Sequence, residues 1–227
     1  MRPRGRRIAG ALLGATAALG IVAFAHTRAA RPLLGWLGLG SGCPMSLSGQ
    51  TPASLEQRRE ETMRTIAGTD PARARPALGF LLGSSTRDDV SAWAAAHAVP
   101  CEDALLDTAL HCREVTAAGA TAETAQGLPI ADAFFRFEPG GKLVAVDVMH
   151  QGTNGVVAAA FVDRASQRLS REVGAPSRVA LEPAAALGAL YAQSTVEYRF
   201  RDYAADVSAT NFGEVGVVVR EQYRAID

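Results

Sequence analysis

The chain has 227 residues, of which 48% are hydrophobic, with 23 basic and 23 acidic side chains, so it is formally neutral. That neutrality is polarised: the first 31 residues hold six arginines and no acid, leaving 17 basic against 23 acidic groups in the remainder, a net charge of −6. An acidic remainder argues against nucleic acid as a partner, because phosphate backbones are gripped by cationic surfaces.

Residues 1–31 read as a secretory signal or a membrane anchor. The basic flank Arg2, Arg4, Arg6 and Arg7 precedes an uncharged run from Ile8 to Ala25. As a helix that run would span about 27 Å, enough for a thin bilayer core. Its length favours an anchor. Its Ala and Gly content, and Ala23-Phe24-Ala25 ahead of His26, keep cleavage after Ala25 open. The expected location is the membrane, facing the extracytoplasmic side, or secreted or periplasmic if the segment is cleaved.

Residues 32–50 form a Gly-rich tether. It holds Trp36, suited to a bilayer interface or to packing on the domain. It also holds Cys43, whose preceding Gly40 does not fit a lipoprotein signal. Residues 51–70 read as a charged spacer helix between membrane and domain. Thr51 is its cap, Pro52 its first residue, and Leu55, Met63 and Ile66 a thin apolar stripe. Gly68 and Pro71 end it.

Residues 71–227 make one domain of ordinary size. The segment Gly79–Val90 reads as a strand-like entry, a turn and a helix start. Ser85 or Thr86 caps the helix, and Val90, Trp93, Ala94 and His97 face a core. The helix ends before Pro100, and a loop leads to a strand near His111–Val115. A hairpin follows, Ala131–Phe137 and Lys142–His150, turning at Glu138-Pro139-Gly140-Gly141. On the return strand Val144, Val146 and Val148 share one face; Leu143, Ala145, Asp147 and Met149 share the other. Val157 to Val173 has helical spacing. Strands are expected near Arg178–Leu181, Thr195–Arg201, Ala204–Thr210 and Glu214–Tyr223.

The expected fold class is α+β: two repeats of a helix plus antiparallel strands, over 78–150 and 156–223, with helices on one face of the sheet. The opening G-x-x-L-G-x-S-x-x-x-D-V, Gly79 to Val90, followed by a hairpin, resembles the small αβ modules of the BamE/SmpA and β-lactamase-inhibitor-like group. That resemblance implies a binding or assembly module, with a sheet surface presented to a protein partner and no catalytic residues.

Of the three cysteines, Cys101 and Cys112 lie 11 positions apart, a metal or redox pair being the competing reading to a disulfide. In an oxidising compartment they are expected to form a disulfide worth on the order of 2–3 kcal/mol. No catalytic, cofactor-binding or metal site is read. His26, His97, His111 and His150 show no ligand spacing, and no nucleophile elbow or phosphate loop is present. Gly152-Thr153-Asn154-Gly155 reads as a flexible connection, with anion binding the rarer alternative. Tyr191, Tyr198, Tyr203 and Tyr223 are the interface candidates, ordinary cross-strand pairing being the competing role. The expected function is a membrane-anchored or secreted module of the cell envelope that binds a protein or peptide partner. The alternative is a secreted enzyme whose site is not visible in the sequence.

Overall fold

The computed structural model describes residues 52–105, 108–115 and 128–226. The expected anchor or signal, the tether with Trp36 and Cys43, and the Thr51 cap lie outside them. Among the described residues no helix is long and apolar enough to cross a membrane.

The first element, α1, is Pro52–Ile66. Met63 is half-buried and Ile66 exposed, while the Leu55 side chain is outside the described set. The chain after α1 is stitched to the domain. The Gly68 N–H donates to Phe200 O at 3.1 Å and the Arg201 N–H to Asp70 O at 2.8 Å. A Cβ on Gly68 would lie 2.2 Å from Arg199 O, so only glycine allows this approach. The helix expected as a separate spacer therefore belongs to the same compact unit as the rest of 52–227.

A small hairpin follows, β1 (Pro76–Ala77) and β2 (Phe80–Leu81). Its two-residue loop, Leu78-Gly79, has both residues at positive φ, 51° and 83°, as mirror-image hairpin turns require. Helix α2, Arg87–Ala96, starts on a capping box: Thr86 accepts from the Asp89 N–H and Asp89 accepts from the Thr86 N–H. Trp93 packs edge-on to Phe80 at 5.7 Å and lies 5.9 Å from Phe135.

Four strands come next: β3 (Cys101–Ala104), β4 (Ala109–Val115), β5 (Ile130–Phe137) and β6 (Leu143–His150). The segment expected as a loop before His111 is thus partly the strand β3. Helix α3 is Gly155–Glu172, with Asn154 accepting from the Val157 N–H at 3.0 Å. Four more strands close the chain: β7 (Arg178–Ala180), β8 (Gln193–Arg199), β9 (Tyr203–Asn211) and β10 (Val217–Ala225).

All eight strands from β3 to β10 join one antiparallel sheet in the order β3-β4-β5-β6-β10-β9-β8-β7. The fold is α+β. The last strands of the two four-strand runs, β6 and β10, pair at the centre. Register places Leu110, Phe135, Val146, Tyr223, Ala205 and Tyr198 side by side across six strands. All six are buried, and this row faces α2 and α3. The adjacent row, His111, Phe134, Asp147, Gln222, Asp206 and Glu197, points to the other face.

One expectation of facing is corrected. Leu143 is fully buried, because the register shifts between Arg136 and Phe137 and its backbone is bonded at 2.8 Å to both Gly83 and Ser85. Ala145 does lie on the outer face, yet it is buried because it sits beneath α1. At the far end, Gly213–Val215 is a 3-10 turn rather than the start of the last strand.

Candidate functional site

The sequence-derived interface candidates divide sharply. Tyr198, Tyr203 and Tyr223 are buried on the helix-covered side of the sheet. Their hydroxyls are used internally: Tyr198 donates to Ser166 O at 2.8 Å, Tyr203 to Pro76 O at 2.7 Å, and Tyr223 to Glu221. A partner cannot reach them in the folded protein. Period-2 alternation reads which residues share a face, and these tyrosines share the core face. Tyr191 differs; it is 71% exposed.

Tyr191 lies where three loops meet, at the end of the sheet formed by the C-termini of β6 and β9 and the N-termini of β8 and β10. The Tyr191 N–H donates to Asn211 O at 2.9 Å. Buried Asn211 ties the loops further, donating from Nδ2 to Leu187 O and accepting from the Gly213 N–H, each at 2.8 Å. Thr153 exchanges backbone bonds with Val217 at 3.0 and 2.8 Å. A Cβ on Gly152 would lie 1.9 Å from Val215 O, and glycine is required there. The segment expected as a flexible connection is therefore a packed support.

On this support stand large apolar side chains turned to solvent: Leu190, Tyr191, Phe212 and Val215, each more than half exposed. A Cβ on Gly213 would meet Leu190 Cδ1 at 3.2 Å, so the two loops touch. Tyr191 holds φ at +61°. For a bulky L residue that region costs about 1–2 kcal/mol and persists only where neighbours impose it. A clustered apolar surface on a fixed backbone suits protein contact.

The interior holds a second notable cluster. Glu221 is fully buried and accepts from His150 Nε2 at 2.8 Å and from Arg168 Nη2 at 3.1 Å. Burial, then the neighbouring Glu221 carboxylate, push the Tyr223 hydroxyl well above its ordinary value, so Tyr223 stays protonated and donates to Glu221. His150 Nδ1 meets Leu128 O at 3.0 Å, and Phe161 tilts over the ring at 4.5 Å. Neither His150 nor Glu221 reaches solvent, and the cluster ties α3 to β6 and β10. The His150 partner Glu221 lies 71 residues away in the chain, a pairing that no local pattern in the sequence signals.

Cys101 and Cys112 form a disulfide across directly opposed positions of β3 and β4. His111 points away from it, with Nε2 2.7 Å from Asp132 and its ring stacked on Phe134 at 4.0 Å. Among the described residues no group of three metal-ligating side chains is assembled.

No family model matches this chain, and no curated protein or solved structure matches it either. Positions of the Gly79–Val90 motif have local roles of their own. Gly79 and Gly83 occupy positive φ, Leu82 and Val90 are core, and Asp89 completes the cap.

Proposed function

We propose that this protein is an extracytoplasmic binding module of the cell envelope, held at the membrane by residues 1–31, and that its loop surface around Tyr191 docks a protein partner. The observation that carries the reading is the exposed cluster Leu190, Tyr191, Phe212 and Val215 on interlocked loops. The Cys101–Cys112 disulfide supports an oxidising compartment. The succession of a helix and four strands, twice over, supports construction from two α+β repeats sharing one sheet.

The partner is a protein segment that offers an apolar face, because the surface presents apolar side chains with only Glu214 as a charge in the same turn. Burying one large side chain of this kind contributes about 1.5–3 kcal/mol. The test is crosslinked capture from native membranes. Wild type is expected to retain one reproducible partner, and Tyr191→Ala with Phe212→Ala to lose at least tenfold of it. Both positions are surface-exposed, so folding is checked by an unchanged thermal transition. Equal capture by the folded double variant sinks the assignment of this surface.

A further inference from the structure

The sheet face turned away from α2 and α3 carries a cavity of about 400 Å3 beneath α1, within the range of small-molecule sites. Four arginines stand in its wall, Arg58 and Arg59 from α1 with Arg136 and Arg224 from the sheet. Arg136 and Arg224 both lie opposite Ala145, whose short side chain leaves the space between them open. Phe134 and Ala145 give the sheet side an apolar floor, and Met63 faces it from α1.

One carboxylate, Asp147, also lines the cavity. It is held by Arg220, which is not in the wall, at 2.8 Å and by Gln222 at 2.9 Å; Arg224 is further off, at 3.9 Å. A guanidinium has five donors, so an arginine already bonded to a neighbour keeps donors for a ligand. Planar forks of this kind match phosphate and carboxylate oxygens.

We propose that this cavity binds an anion with an apolar body, a phosphate or carboxylate on an aromatic or acyl group. The charge sits among Arg58, Arg136 and Arg224, and the apolar part lies on Phe134 and against Met63. Burial, opposed by Asp147 and reinforced by Arg136, Arg59 and Arg220, holds the Arg224 guanidinium below its ordinary value. A bound anion relieves that crowding. The site is independent of the Tyr191 surface, and either can fail alone.

The experiment uses the full chain, labelled with 13C at its methionine methyls, in phosphatidylcholine nanodiscs. It is titrated with 1-naphthyl phosphate. The Met63 methyl is expected to shift saturably, at least tenfold more tightly than with inorganic phosphate or 1-naphthol, which each lack half of the ligand. Exchanging the lipid for phosphatidylglycerol distinguishes the sources. A Met63 shift without added ester assigns the anion to a lipid headgroup, and a shift only with the ester assigns it to a soluble ligand. A Met63 methyl unmoved under both conditions overturns the proposal. Arg58→Glu, on the exposed side of the helix, is expected to weaken binding at least tenfold, and Arg224→Gln likewise. Unchanged affinity in Arg58→Glu overturns it as well, whether or not the Arg224 variant folds.

Discussion

Burial would lift the Glu221 carboxyl above its ordinary range, but the hydrogen bond and charge of His150, then Arg168 and Tyr223, hold it at about 2. A carboxyl depressed on folding stabilises above its unfolded value and loses that contribution as pH falls through the folded value. The window for Glu221 runs from roughly 4.5 down to about 2, and the contribution is on the order of 3 kcal/mol. Glu221→Gln should remove most of the acid sensitivity across that window. It should also destabilise at neutral pH, since Arg168 and His150 then face no carboxylate. Urea midpoints measured from pH 2 to pH 7 decide the matter. Parallel curves for wild type and variant would mean that the carboxylate is not the titrating group.

The hairpin β3–β4 shows how far sequence reading reaches at the scale of an element. Cys101 and Cys112 sit 11 positions apart, and that spacing, with the oxidising compartment read from the N-terminal segment, suggested the bond that closes the hairpin. The strand β3 was missed because Cys101-Glu102-Asp103-Ala104 has no apolar alternation; the cross-link and pairing to β4 hold it instead. The capped start of α2 was legible as Ser85 or Thr86 ahead of Asp88 and Asp89; the two pairs have the same spacing, and the structure selects Thr86 with Asp89. The tyrosines were not, because a period-2 pattern cannot say which face meets the helices. Closing so short a loop restricts the unfolded chain by an amount worth on the order of 3 kcal/mol. Reduction should then lower the melting temperature by roughly 5–12 °C for a unit of this size. Calorimetry in dithiothreitol, with free thiols counted in the same sample, gives the answer. An unchanged transition with both thiols free would show that strand pairing holds the hairpin unaided.

At the scale of the whole molecule, the central question is whether the two four-strand runs fold as one body. Hydrophobic periodicity located both helices and most strands, yet left open whether the halves share a sheet, because strand order depends on pairings between distant residues. The structure answers through β6 and β10, which pair over Ala145–Met149 and Arg220–Arg224 and carry the core row across the junction. Phe135 on one side and Leu169 on the other belong to a single buried cluster. The His150–Glu221 contact crosses the same junction. Separating the halves would expose that row and leave buried Glu221 without its hydrogen bond from His150, so neither half gains by staying folded alone. Phe135→Ala and Leu169→Ala remove large side chains from opposite halves, each at a cost of about 2–5 kcal/mol. In a Trp36→Phe background, where tryptophan fluorescence reports Trp93 alone, each should move one and the same unfolding transition, seen identically by that fluorescence and by far-ultraviolet dichroism, which reports the whole sheet. If Leu169→Ala shifted the dichroism midpoint and left the Trp93 midpoint in place, the halves would be separate folding units joined only at their edges.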